Sequence, residues 1–304
     1  FVVEDGVVLR LAPDEFMISA ARPNLAHLRS LIGYEAVEID DVSDQWGTLA
    51  VQGPAARTVL APLAAEVAGL AFFDLTPTKL ADIPVTVSRT GYTGGLGYEV
   101  WVPADQAVAV WDAVAEAGSG HGLMPFGQIA LLMARIEAGL LLIDVDFESS
   151  RFAFNDEHRS TPLELGFGWM FRDLDNDDRH FIGRPAIERE RAEATSRWKM
   201  VGLVVDWHEY DTLYNEARLI PPKDHIPVTE EFMLYDADDA RVGYATSFMY
   251  SPILQRHIAL ARLRPDMAAT GTRVDLEVKI NHRYQRVGAY AARLPLYKPD
   301  HKTA

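Results

Sequence analysis

The chain has no cysteine in 304 residues. That excludes disulfides, thiol nucleophiles and cysteine-held metals. Its 9 histidines show no H-x-H or H-E-x-x-H spacing, so no metal is expected. No apolar run reaches the roughly 18 residues of a membrane helix, and no signal peptide is visible. Basic residues are scarce: 29 against 44 acidic ones, a net charge of −15. A nucleic-acid backbone needs basic patches, so nucleic acid is not an expected partner. An anionic small molecule remains compatible with a local basic pocket. The sequence carries no Rossmann fingerprint, P-loop or G-x-S-x-G elbow, and neither repeats nor low-complexity tracts. The lack of cysteine fits a cytoplasmic location.

What is present is an ordinary globular composition, 48% hydrophobic and 24% charged, with length for two domains or three small ones. The most informative stretch is Ser88–Val102, S-R-T-G-Y-T-G-G-L-G-Y-E-V-W-V. It begins as an alternating strand, breaks at Gly91, Gly94, Gly95 and Gly97, and leaves as a second strand from Tyr98. Clustered glycines let a backbone approach something flat or bulky. Glu99 adds a carboxylate able to accept two hydrogen bonds, and Tyr92 and Tyr98 add rings. Those parts suit an aromatic heterocycle with adjacent N–H donors. They equally suit a tight hairpin with nothing bound.

The remaining chain reads as two textures. Val2–Leu11 reads as an apolar strand interrupted by Glu4, Asp5 and Gly6, and Phe16–Ser19 as a second short strand. Asn24 is expected to cap a helix with Leu25, Leu28, Leu31 and Ile32 on one face, ended by Gly33. Trp46–Val51 reads as a strand, Pro103–Ala117 as a helix burying Ala107, Val110, Trp111 and Val114, and Phe126–Ala138 as a helix turning Ile129, Leu132, Met133 and Ile136 inward. Asp144–Arg159, with alternating Asp144, Asp146 and Glu148, reads as a solvated or substrate-facing loop. A short charged helix follows at Pro185–Ala194. From Lys199 onward short strands dominate: Lys199–Val205, Phe232–Tyr235, Arg241–Met249, Ile258–Arg262, Arg273–Ile280 and Val287–Ala292. They imply a barrel or sandwich. Tyr210–Pro227 reads as a polar insertion over it, of lid type. Strand pairs interleaved with helices argue for α+β layers.

The T-G-Y-T-G-x-x-G-Y-E pattern resembles the glycine-cleavage T-protein (aminomethyltransferase) superfamily of tetrahydrofolate-dependent one-carbon transferases. Similar blocks follow in order: L-A-V-Q-G-P at Leu49–Pro54, R-I-E-A-G at Arg135–Gly139, T-P-L-E-L-G at Thr161–Gly166, F-I-G-R at Phe181–Arg184, Y-S-P at Tyr250–Pro252 and I-A-L-A at Ile258–Ala261. The resemblance implies a folate-binding T-protein-like fold of interleaved α+β subdomains over residues 1–195, with a C-terminal β-barrel domain over residues 196–304. Phe1 stands inside an apolar run, and the resemblance implies a further folate-site segment ahead of it.

Glu4-Asp5-Gly6 alone reads as a strand turn or bulge. By resemblance, Asp5 matches the family's essential aspartate beside the folate nitrogens. Glu99 matches the glutamate that clamps the pterin ring, and Tyr92 is assigned to its cover or edge. Phe73 is a further candidate wall; for Tyr92 and Phe73 a core role is the alternative. Arg135 and Glu137 read as an ion pair stabilising domain packing. His282 with Arg283 and Tyr284 offers a group for an anionic substrate, or a structural strand end. The implied activity is movement of a one-carbon unit from a small donor to N5 of tetrahydrofolate, with a lipoyl carrier protein or a flavoprotein as candidate partner. Two alternatives stand beside it. Asp5 through Phe16 and Asn281–Gln285 also look similar to tetrahydrofolate-dependent O-demethylases of methoxylated aromatic acids. A non-catalytic folate-binding accessory protein, or the folate domain of a flavin-linked demethylating oxidase, is the other. Leu131, Ala21 and Gly95 depart from the family pattern at positions where relatives carry an arginine, an asparagine and a glutamate. Those changes point to a divergent member outside the housekeeping role.

Overall fold

Alternation decides the sheet at the centre of the first part of the chain. This computed structural model describes residues 1–33, 35–176, 178–223 and 226–303, the side chains of 176, 302 and 303 excepted. It divides into two compact units: Gly6–Gly127 with Lys298–Ala304, and Phe1–Asp5 with Gln128–Tyr297.

In the first unit, β1 (Val8–Ala12) and β2 (Glu15–Ile18) form a hairpin, and α1 (Leu25–Ile32) follows. β3 (Trp46–Gln52), α2 (Ala56–Leu60), β4 (Leu75–Leu80), β5 (Ile83–Ser88), β6 (Gly97–Pro103) and α3 (Ala107–Gly118) complete it. The four-stranded antiparallel sheet has the order β3-β6-β5-β4. One face carries Val85, Val87, Tyr98, Val100 and Val102, buried with Val59 and Leu60 of α2 and Val110 and Val114 of α3. The pairing Ser88↔Glu99 and Thr86↔Trp101 puts those four side chains on the opposite face.

In the second unit, α4 (Gln128–Glu137) and α5 (Arg184–Glu193) precede β7 (Lys199–Val205), α6 (Trp207–Glu216), β8 (Phe232–Tyr235), β9 (Arg241–Ser251), β10 (Arg256–Leu263), β11 (Arg273–Ile280) and β12 (Arg283–Ala292). Six strands close a barrel in the order β10-β7-β12-β11-β8-β9, filled by Leu203, Leu234, Val242, Leu263, Leu276 and Val287 among others. The expected α+β fold with a C-terminal barrel is therefore the observed one. No helix among the described residues is long and apolar enough to cross a membrane.

Several local expectations need correction. Val2–Leu11 is not one strand. Val2 exchanges backbone hydrogen bonds with Ser160 and Ser150, and the strand begins only at Val8. Asn24 makes no side-chain cap to α1; its amide nitrogen turns back to the Arg22 carbonyl, 3.2 Å away, and no α1 residue is buried. Trp111 and Ile129 are exposed rather than inward. The Tyr210–Pro227 insertion opens with a helix. Asp206 caps α6 by accepting from the backbone N–H groups of His208 and Glu209, and Tyr210 packs into the barrel core. Asp224 and His225, in the same insertion, lie outside the described residues. Asn281 and His282 form the two-residue turn of the β11–β12 hairpin, both with positive φ (47° and 62°).

The largest correction concerns Asp146, which lies at 1% exposure rather than in a solvated loop. Its carboxylate takes a very short contact from Arg135 of α4, whose side chain is equally buried. It also accepts from Thr246 Oγ1 at 2.5 Å and Ser247 Oγ at 2.8 Å on β9, and from the Leu142 N–H at 2.8 Å. Arg262 of β10 donates to the Asp146 carbonyl at 2.6 Å. Arg135 is thus an ion-pairing residue, but Glu137 is not its partner: Glu137 accepts from Ser251 Oγ at 2.5 Å, and burial holds its pKa above the ordinary value. Removing one member of a buried pair strands the other. Asp146→Ala is expected to cost about 3–5 kcal/mol in urea denaturation.

His257, at 2% exposure, is ringed by Trp207, Tyr210, Phe248 and Tyr250. Its Nε2 lies 2.9 Å from the Pro222 carbonyl, which only accepts, so Nε2 carries the proton. Nδ1 has no partner among the described residues. Burial lowers its pKa to about 4, and Lys223 adds a like-charge push. The unfolded chain takes up that proton near the ordinary value, so this contribution is complete above about pH 6.5 and lost as pH falls toward about 4. The loss should reach about 3 kcal/mol. Urea midpoints at pH 7 and pH 5 should differ less in His257→Phe than in the parent.

Candidate active site

The glycine-rich hairpin is built around one amide. Gln52, last residue of β3, donates from Nε2 to the Tyr98 carbonyl at 3.2 Å and to the Thr90 carbonyl at 3.4 Å. Its Oε1 accepts from Thr93 Oγ1 at 2.9 Å. A methyl group on Gly97 would stand 1.9 Å from Oε1, and one on Gly91 2.2 Å. These two glycines therefore make room for Gln52 rather than for a ligand. Gly94 supplies a left-handed turn with φ of 75°. Gly95 has only the His301 ring near its missing Cβ, at 3.0 Å.

Glu99 projects from β6 on the face away from the core. Its neighbours on the adjacent strands are small or hydroxyl-bearing, Ala50 directly opposite, Thr48 opposite Trp101, and Ser88 across the β5 pair, while Trp101 follows it on β6. Ala50 and Thr48 are exposed and Glu99 is half-exposed. Thr90 Oγ1 donates to Glu99 Oε2 in a very short contact. Glu99 Oε1 receives no hydrogen bond from a described residue. The exposed Thr48 and Ala50 beside a half-satisfied carboxylate leave acceptor capacity for a flat ring with N–H groups on its edge. That acceptor fits the N–H edge of an amino-oxo heterocycle.

Tyr92 lies in the hairpin loop, half-buried. Phe73 is 62% exposed with φ of 70°, edge-on to Phe72 at 4.5 Å. Its N–H bonds the Arg89 carbonyl at 3.2 Å, which fastens it to the end of β5. Neither ring is core. Glu99, Tyr92 and Phe73 thus belong to the sheet unit, whereas Asp5 ends the N-terminal stretch of the barrel unit. Asp5 is exposed as a residue, yet crowding by protein lifts its pKa above the ordinary value, and Glu4 pushes the same way. Among the described residues no group of acids or histidines can hold a metal ion.

Residue-by-residue reading missed Gln52, Ser88, Thr90 and Trp101. Gln52 sits inside the L-A-V-Q-G-P block, and the spacings Ser88-x-Thr90 and Glu99-x-Trp101 place each pair on one strand face. Those were the available signals.

Comparison with known proteins agrees with this architecture. Residues 1–172 match the model of the GCVT N-terminal domain, and residues 199–298 match that of the glycine cleavage T-protein C-terminal barrel domain. The chain belongs to the glycine cleavage T-protein family. It is 32% identical to an aminomethyltransferase of Streptomyces coelicolor, over 98% of this chain and 73% of that one. It is 31% identical to the heme-dependent oxidative N-demethylase gamma subunit of Ectopseudomonas mendocina, over 99% of this chain and 72% of the relative. It is 34% identical to the trimethylamine-oxide aldolase of Ruegeria pomeroyi over 98% of its own length, but spans only 36% of that protein. The solved glycine cleavage system aminomethyltransferase T of Bartonella henselae has the same fold, with a TM-score of 0.74 at 22% identity over 97% of this chain and 72% of that one.

The Gln52 contacts set a local test. Gly97→Ala must evict a side chain holding three hydrogen bonds and should cost about 2–3 kcal/mol in chemical denaturation. Gly95→Ala meets only the flexible His301 ring and should change stability by less than about 0.5 kcal/mol.

Proposed function

We propose that this chain is a tetrahydrofolate-dependent one-carbon transferase, moving a methyl or aminomethyl group from a small donor to N5 of tetrahydrofolate. The observation that carries the reading is the partly exposed Glu99 carboxylate, held by Thr90 beside the glycine hairpin, in a chain of T-protein family. When bound, tetrahydrofolate supplies the nucleophilic nitrogen that accepts the carbon. Glu99 accepts hydrogen bonds from the N–H edge of the pterin, which fixes the ring's orientation. Tyr92 covers or edges that ring, and Phe73, exposed and anchored through its backbone, is a wall. Asp5 stabilises positive charge as it develops on the folate, through its ionised carboxylate.

A second reading has its own support. Relatives named as a demethylase subunit and as a trimethylamine-oxide aldolase match nearly the whole chain. They favour N-methyl compounds as the source of the carbon, and a flavoprotein or other subunit that delivers it. A lipoyl carrier protein is the corresponding partner if the donor is aminomethyl, and an O-demethylase role is the corresponding reading if the donor is a methoxylated acid.

The experiment is calorimetric titration with tetrahydrofolate, followed by mass spectrometry of the folate product after incubation with N-, O- and S-methyl donors. Wild type should bind and form a one-carbon folate with at least one donor class. Glu99→Ala should weaken binding about 10- to 100-fold, and Asp5→Asn should keep binding while losing about 100-fold or more in turnover. A wild-type protein that takes up no tetrahydrofolate would overturn the reading, and near-normal turnover in Asp5→Asn would remove Asp5 from the chemistry.

A further inference from the structure

Four side chains, from β5 (Ser88), from the residue two past its end (Thr90) and from β6 (Glu99 and Trp101), form a continuous run of hydrogen bonds. Trp101 Nε1 donates to Ser88 Oγ at 3.2 Å. Ser88 Oγ and Thr90 Oγ1 lie 2.7 Å apart. Thr90 Oγ1 then donates to Glu99 Oε2. The two ends fix the direction, because an indole N–H only donates and an ionised carboxylate only accepts. Thr90 spends its single proton on Glu99, so Ser88 must be the donor between the hydroxyls. Each hydroxyl gives one bond and receives one, an arrangement in which neighbouring bonds polarise and strengthen each other. Ser88 is 1% exposed, Thr90 6% and Trp101 8%. Water has little access to replace any of these bonds, whereas Glu99 itself remains half-exposed.

The geometry points to Thr90, backed by Ser88 and Trp101, as the positioning residue that fixes the Glu99 carboxylate and leaves Oε1 to an amino-oxo heterocycle presenting adjacent N–H donors. This assignment rests on the proposed folate role of Glu99 and deepens it. Without the relay, a half-exposed glutamate samples several rotamers, and ligand binding must order it at an entropic cost. With it, the acceptor is already in place. Thr90 acts only through Glu99 and touches neither donor nor reacting carbon.

The test combines tetrahydrofolate calorimetry with a ligand-free readout. Thr90→Val, near in shape but lacking the hydroxyl, should bind tetrahydrofolate about tenfold more weakly. Thr90→Ser, which keeps the donor, should stay within about twofold of wild type. In a Glu99→Ala background, Thr90→Val should add no further loss, since its partner is already gone. In the unliganded protein, Glu99→Gln should shift the Trp101 indole ¹H–¹⁵N resonance through the hydroxyls. Wild-type affinity in Thr90→Val, or the same loss with and without Glu99, would overturn the assignment, and so would an unmoved Trp101 resonance. A wild-type protein that ignores tetrahydrofolate while the Trp101 resonance still moves would sink the folate reading and leave the relay standing.

Discussion

One carboxamide sets the shape on which the site depends. Gln52 fills the space that side chains at Gly91 and Gly97 would occupy, and it ties the Thr90 and Tyr98 carbonyls to the end of β3. Because β3 pairs with β6 and β6 with β5, that amide pins the open end of the hairpin between them. Its partners are backbone carbonyls and the Thr93 hydroxyl, so the loop's geometry does not wait for a ligand. A preformed loop spares a ligand the cost of ordering it.

The sheet then separates two tasks by strand parity. Val87 and Val100 face the helices and supply apolar burial; Ser88 and Glu99, one residue along, face the other way and supply hydrogen bonds. A period of two makes this division strict, since a one-residue slip would exchange the faces. Asp146 plays the organising part in the barrel unit. It gathers Arg135, Thr246, Ser247 and Arg262 from one helix and two neighbouring strands, against the desolvation that burial of both charges entails. A buried charge with so many donors specifies an arrangement more sharply than apolar contacts do.

Much of this was legible along the chain. All six barrel strands alternate or run apolar clearly enough to be located from the sequence, and Val274, Leu276, Val278 and Ile280 line the interior as their spacing implies. The hairpin was legible because four glycines interrupt two β-favouring runs. Less legible was α6: Trp, His, Tyr and Asn are indifferent helix formers, and the signal lay in Asp206 with Glu209 three residues on. Asp146 was misread because an acid in an irregular, polar segment is ordinarily solvated; its partners Thr246 and Ser247 are a hundred residues away. Among the site residues, Glu99 stood out by type and Tyr92 by its loop. Ser88 and Thr90 did not, since hydroxyls in strands are commonplace.

The sequence by itself determined the family, the α+β class, the terminal barrel and the place of the glycine hairpin, because periodicity, turn residues and local motifs are all written within a few positions of one another. Only the tertiary structure decided what the glycines accommodate, which acid is buried and how Glu99 is held. Each of those depends on a residue distant in sequence: Gln52 reaches Tyr98, Asp146 reaches Ser247, and Trp101 reaches Ser88. Strand register brings such pairs together, and register follows from how whole faces are buried rather than from any single residue.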